Sequence, residues 1–279
     1  MLPAATAVFV LCLIRSEAVA SCSRDYLLLC AQSVVPSLFV FSVLAAVICS
    51  RAGFYRVCRR IPFAGTEAAV LLMGLLGGFP LGAVISVQLY REKCVSKRQA
   101  EYLCSFTNNA GISFIVSYAG GVLGNAKTGA VLAVLTLFSS VLCGIIFKRL
   151  MLVPEERRIM PDLRVTAAKS LPLAIAESSR SMLTICGCIV FFGCLGSALA
   201  VSAGFSFPFA IGLLELSGGI AACTTVTQAA ALIGFSGLSV LCQVAAVCGG
   251  ALSVRPYLAA KIVQSAVMTA LAYFLFDIN

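Results

Sequence analysis

Histidine and tryptophan are absent from this chain, and charged residues make up only 11% of it. Without histidine, the commonest metal ligand and the side chain that ordinarily titrates near neutral pH are both missing. No dinucleotide fingerprint and no spaced nucleophile–base set is present. The glycine-rich run LGGFPLG, Leu76–Gly82, lacks the Lys-Ser/Thr that a phosphate-binding loop needs. These absences argue against an enzyme, and no metal site is expected. What the chain has in abundance is apolar surface: 61% of its 279 residues are hydrophobic, and its mean hydropathy is +1.04. Soluble domains average roughly 45–50% apolar and about 25% charged, so the composition describes an all-α polytopic membrane protein.

The net charge of +9 comes from short basic clusters set between apolar runs. That arrangement encodes membrane topology, not a nucleic-acid surface. Fourteen cysteines are present. Most, including Cys49, Cys143, Cys194, Cys242 and Cys248, sit in apolar runs, where cysteine behaves as a small hydrophobe. The lone CxC at Cys186–Cys188 is a weak signal for redox or metal chemistry.

A helix needs about 20 residues to cross a bilayer. The predicted spans are Leu2–Ala20, read as an uncleaved first helix because it has no basic leader, then Tyr26–Ser50 and Thr128–Phe147. Ser181–Ala203, Leu238–Val254 and Tyr257–Phe276 follow them. Between the second and third spans lie two basic clusters, Arg51–Arg60 and Arg91–Glu101. If Glu67–Tyr90 simply crossed the membrane, one cluster would face outside, against the positive-inside tendency. A re-entrant hairpin over residues 67–90, turning at Gly77, Gly78, Pro80 and Gly82, keeps both clusters cytoplasmic. The alternative is a single helix kinked at Pro80. A second hairpin is expected over 207–233, turning near LELSGG, Leu214–Gly219, with Gly218 and Gly219 as its turn glycines.

Two interrupted helices complete the pattern, over 103–118 and 236–254. AGISF, Ala110–Phe114, echoes SGLSV, Ser236–Val240, and each precedes a paired glycine. The chain divides into an N-terminal helix plus first repeat (1–147), a cytoplasmic basic linker (148–170) and a second, inverted repeat (171–279). The linker's basic residues are read as anchors at anionic headgroups. Arg255 and Lys261 are both placed at the cytoplasmic edge of the last span. Inverted repeats with broken helices build many secondary transporters.

Buried amides without partners cost several kcal/mol in hydrocarbon. Thr107, Asn108 and Asn109 must therefore face protein, water or a ligand; they are either a site or polar glue between helices. Glu215 is the one charged residue between Arg180 and Arg255, a functional candidate by default unless it sits at the membrane edge. Ser113, Ser217, Ser236, Ser239 and Gln243 are candidates to line the same midplane cavity as Asn108, Asn109 and Glu215.

The block GGFPLGAVISVQLYREKCVSKRQAEYLCSFTNNAGISFIV, Gly77–Val116, resembles the sporulation integral membrane protein family that carries the nucleoside-recognition Gate domain. VVPSLFVFSVL at Val34–Leu44 and SGLSVLCQV at Ser236–Val244 are similar to it as well. Gate domains also occur in concentrative nucleoside transporters and spore maturation proteins. The resemblance implies a multi-pass protein of a bacterial cell membrane, the one around the developing spore. It implies transport of a small organic anion, dipicolinic acid, with no cofactor beyond a coupling Na+ or H+. Asparagine amides and exposed N–H groups at half-helix ends suit such an anion; Glu215 suits it only when protonated or cation-bound. A nucleoside or nucleobase carrier and a non-transporting scaffold for spore-envelope assembly are the alternatives. The expected partners are the substrate and the lipid bilayer, with no nucleic acid; self-association is left open.

Overall fold

The computed structural model describes residues 2–50, 65–91, 93–153, 170–203 and 208–277. The basic loop 51–60, most of the expected linker and residues 204–207 lie outside them. With no water in hydrocarbon to satisfy a backbone, an apolar chain closes its N–H and C=O groups into helices, and the described residues form helices joined by short turns. α1 is Leu2–Ile14. α2, Ser16–Leu29, continues through a π-helical turn, Cys30–Val34, into α3, Val35–Cys49. The second span thus begins ten residues before the expected Tyr26, because Arg24 and Asp25 continue the helix without breaking it. The widened turn falls just ahead of Pro36, which has no N–H to give the helical ladder.

α4, Gly65–Gly77, and α5, Leu81–Arg91, are joined by a turn over Gly78–Pro80, in which Gly78 has φ +70° and the Phe79–Pro80 peptide is cis. A Cβ on Gly74 would lie 3.6 Å from the Gly82 Cα. Eight residues of unbroken helix would span about 12 Å, so the chain doubles back here. α6, Lys97–Thr107, opens with a capping box in which Ser96 accepts from the Gln99 N–H and Gln99 accepts from the Ser96 N–H. It breaks at Asn108–Gly111 and resumes through the π-helical stretch Phe114–Ala119 to Val122. α7, Ala126–Leu150, is capped by Asn125, and α8 is Leu171–Ala203.

The expected second hairpin is divided. α9, Pro208–Leu214, turns at Glu215 into α10, Leu216–Ala221, and after a second turn α11, Val226–Phe235, begins a new element. Gly218 and Gly219 lie inside α10, not in the turn. The bend is made by Glu215, whose extended backbone and carboxylate cap α10. The glycines admit close packing: a Cβ on Gly219 would lie 2.1 Å from the Gly212 Cα. The second interrupted helix accordingly comprises α11 and α12, Gly237–Cys248, broken at Ser236 (φ +75°), and does not start at residue 236. α13, Arg255–Ala272, extends through Tyr273–Asp277.

Contacts across the bundle fix directions. Ser253 N donates to Glu101 and Lys261 Nζ to Asn109, so α6 and α13 run parallel. Thr227 donates to Asp277, and Ser265 to the Ala231 carbonyl, so α11 runs against α13. Cys143 donates to the Ala260 carbonyl and Thr136 lies on Met268, so α7 also runs against α13. The two broken helices therefore point in opposite directions. The 3.1 Å ion pair Glu67–Lys148 places the base of the first hairpin at the end of the bundle that holds Lys97, Glu101 and Ser253; Asn125, Thr227 and Asp277 occupy the opposite end.

Candidate functional site at the four interruptions

Four breaks in regular helix meet inside this bundle: the turns at Gly78–Pro80 and Glu215, and the interruptions at Asn108–Gly111 and Ser236. Each interruption packs on the hairpin of its own half. A Cβ on Gly78 would lie 3.0 Å from Gly111 N, and one on Gly237 3.1 Å from the Gly212 carbonyl oxygen. Gly74 and Gly82 abut the Thr107 carbonyl, where a Cβ would approach to 1.8 and 2.6 Å. Glycine is needed there because backbone lies directly on backbone.

The first polar group surrounds the asparagine pair. Thr107, Asn108 and Asn109 are each fully buried. Thr107 Oγ1 donates to the Leu103 carbonyl and Asn109 Nδ2 to the Phe106 carbonyl, which closes the end of α6. Asn108 Oδ1 accepts from Ala83 N at 3.3 Å, joining the break to the hairpin. Asn109 Oδ1 accepts from Lys261 Nζ at 2.9 Å and Gln264 Nε2 at 3.0 Å. Gln264 also receives Lys261 at 2.8 Å and donates to Ser140 at 2.9 Å.

Lys261 is therefore not at the membrane edge, as its position near Arg255 led the sequence reading to expect. It lies 1% exposed, about 9 Å along the helix from Arg255. The rings of Phe79 and Tyr257 lie 5.5 and 5.6 Å from its Nζ, close enough for cation–π attraction. Among the described residues no carboxylate lies within ion-pair distance of it. The Tyr257 hydroxyl lies beside Asn108 and Ser236, yet it and Asn108 Nδ2 are buried without a hydrogen-bond partner.

The second polar group surrounds Glu215, which is 1% exposed. Its two carboxylate oxygens accept from Ser217 N at 2.9 Å and Gly218 N at 2.6 Å. Glu215, Ser217, Ser239 and Gln243 line a cavity of about 40 Å3 together with Phe79, Ala110 and Gly111. Tyr118 of the first broken helix donates to the Ser217 carbonyl at 2.8 Å.

The polar residues singled out in the sequence thus occupy two neighbouring clusters, not one pocket, with Phe79 between them as cavity wall and cation–π partner. Neither Ser113 nor Ser236 lines the cavity, although Ser236 lies beside the Tyr257 hydroxyl of the first group. Ser113 ties the first broken helix to the Ser37 carbonyl at 2.6 Å, and Ser236 bonds the Ile233 carbonyl at 3.2 Å. Sequence reading missed Tyr257, Lys261 and Gln264. Their signal was the spacing i, i+4, i+7 within an apolar run, which lays them on one helix face.

The outward faces carry exposed Phe138, Leu183 and Phe191, and five described helices are long and apolar enough to cross a membrane. The chain is an all-α, multi-pass membrane protein. It is 40% identical over 81 residues to the sporulation integral membrane protein YlbJ of Bacillus subtilis (strain 168), a match covering 29% of this chain and 19% of that protein. The matched stretch is thus a minor part of both proteins. No family model matches the chain, and no solved structure does.

Proposed function

We propose that this protein is a secondary carrier of a small organic anion, working by alternating access around the four helix interruptions. Dipicolinate is the candidate substrate that the family resemblance implies, and the relative's printed name agrees with a role in sporulation. The observation that carries the reading is Lys261: a basic side chain, 1% exposed, whose Nζ donates to two amide oxygens and, among the described residues, meets no acid at ion-pair distance. A buried charge normally finds a counter-ion. Here its neighbours include two further buried donors, Asn108 Nδ2 and the Tyr257 hydroxyl, which lie against each other without a hydrogen bond of good geometry. An ammonium and two neutral donors together complement a carboxylate.

Direction supports the mechanism. Each half contributes a hairpin, a broken helix and a span, and the broken helices are antiparallel, the arrangement of an inverted repeat. The basic residues Arg91, Lys93, Lys97, Arg98, Lys148, Arg149 and Arg255 belong to the end where the first hairpin is based, which supports a cytoplasmic position for that end. Ligand pockets usually enclose about 300–1,000 Å3, so the 40 Å3 cavity must widen before an aromatic dicarboxylate fits. Parting of the hairpin tips from the broken helices supplies that space.

One observation favours a nucleoside carrier instead. Glu215 lines the cavity, and a carboxylate there would accept from ribose hydroxyls while repelling an anion. Uptake of labelled dipicolinate and labelled uridine into proteoliposomes of the purified protein separates the readings. Saturable dipicolinate uptake is expected. Uridine uptake alone would replace the anion reading, and uptake of neither would leave the scaffold reading.

A further inference from the structure

We infer that Cys22 and Cys194 are an oxidisable thiol pair, a modification site at which a disulfide joins α2 to α8 at the non-cytoplasmic edge of the membrane. The two helices run antiparallel and meet closely there. Cys22 Sγ donates to Ser197 Oγ at 3.0 Å, Ser23 Oγ and Cys194 Sγ lie 3.1 Å apart, and the Cys194 thiol reaches the Val19 carbonyl at 3.8 Å. Within this set the two sulfurs lie beside each other. One turn deeper, a Cβ on Gly193 would lie 2.3 Å from the Tyr26 Cζ, so the glycine lets the helices close up. That approach matters, because a disulfide needs Cα atoms within about 7 Å and packed helix axes usually stand about 8–10 Å apart.

Depth and side decide which oxidant meets the pair. Val34 and Ile185 line the cavity. Cys22 and Cys194 lie about 18 and 14 Å from them along their helices, roughly half of a 30 Å hydrocarbon core. Arg24 and Asp25, between Cys22 and the cavity level, are exposed, and exposed charges belong with headgroups and water. The other end of this span runs into the cluster Arg51–Arg60, so the positive-inside tendency puts the thiols on the non-cytoplasmic side, where disulfides form and persist. Cys22 is half-buried and Cys194 6% exposed, so an aqueous disulfide meets Cys22 first. The Cys22 thiolate attacks that small-molecule disulfide and expels one thiolate. The Cys194 sulfur then attacks Cys22 in the mixed disulfide and expels the second. Two protein thiols are oxidised, one external disulfide is reduced to two thiols, and the cysteine protons pass to the departing sulfurs. The bond would tie together the two helices that carry Val34, Leu38, Ile185 and Ile189 to the cavity wall. The same helices bring Cys30 and Cys186 together two turns deeper, where hydrocarbon shields them from a charged oxidant.

The inference does not rest on the anion reading, and its test contains no substrate. Purified full-length protein, with every cysteine except Cys22 and Cys194 replaced by alanine, is exposed to oxidised glutathione. It is then denatured and labelled with a polyethylene-glycol maleimide. Two labels are expected before oxidation, none after it, and two again after dithiothreitol. Adding Cys194→Ala should leave one glutathione on Cys22, seen as its added mass. A protein keeping only Cys30 and Cys186 should retain both labels. Peptide mass mapping of the oxidised wild type reads the same bond without substitutions, as a reducible peptide pair joined through Cys22 and Cys194. Two labels retained by the Cys22 and Cys194 protein, glutathione on both cysteines, or no linked pair in the wild type would overturn the inference. Equal oxidation of Cys30 and Cys186 would overturn the placement at the membrane edge.

Discussion

Lys261 enters the interior with two amide oxygens and two aromatic rings as neighbours, a weak substitute for water or an acid. A charge held this way is poor structural glue, since replacing buried ions with apolar side chains of similar volume is often neutral or stabilising by about 1–4 kcal/mol. Lys261→Met should therefore keep or raise the thermal midpoint of the purified protein while abolishing anion uptake. A large fall in the midpoint would assign the lysine to folding. Asn109→Asp makes the complementary test. It supplies Lys261 with an internal counter-ion at the 2.9 Å position now held by the amide, so the protein should stay folded and lose its anion affinity. At this scale the sequence was half legible. Adjacent carboxamides and a solitary acid stand out against hydrocarbon, and both proved buried. Lys261 did not stand out, because the positive-inside tendency offers a ready place for a lysine six residues from Arg255. What tells an edge lysine from an interior one is which face of α13 it shares with Tyr257 and Gln264, and that depends on the neighbours.

Among elements, the hairpins and broken helices depend on close backbone approach. Gly82 meets the Thr107 carbonyl where a Cβ would come within 2.6 Å, and neither backbone can yield as a flexible side chain would. Gly82→Ala should destabilise by roughly 1–3 kcal/mol, read as a lower thermal midpoint. Gly237→Ala should do likewise, because it adds a Cβ at φ +79° as well as a contact 3.1 Å from the Gly212 carbonyl. Wild-type midpoints in both would mean that these breaks are looser than described. The first hairpin could be read in advance because Gly-Gly-Phe-Pro interrupts an apolar run and two basic clusters flank it. The second turn falls within the expected Leu214–Gly219 stretch, but at Glu215 and not at the glycines. Glycines are the usual turn signal, but the turn at Glu215 is made by a side chain capping its own helix, and Gly218 and Gly219 serve packing instead. The helix start at Val226 was missed because a Thr225 cap inside an apolar stretch carries little contrast.

For the whole molecule, the directions of the helices decide sidedness. Ser96 and Ser253 are exposed at the end that carries the basic clusters, and Asn125 and Thr224 at the opposite end. In a cysteine-free background, cysteines placed singly at 96 and 253 should react with a membrane-impermeant thiol reagent from the cytoplasmic side. Those at 125 and 224 should react from the other side. Reaction of 96 and 125 from one side would dismantle the inverted arrangement. The membrane class was plain from composition alone. The order hairpin, broken helix, span was partly readable, because the echo of AGISF in SGLSV falls where helix resumes after each break. The relation between the two polar clusters was not readable, since Phe79, an ordinary apolar residue in the sequence, forms the wall between them.

The most direct test of the proposed interior anion site is equilibrium binding of labelled dipicolinate to the purified protein, with wild type and Lys261→Met compared side by side. Saturable binding by the wild type and none by Lys261→Met is the predicted result. Equal binding by the two proteins, or binding by neither, would contradict it.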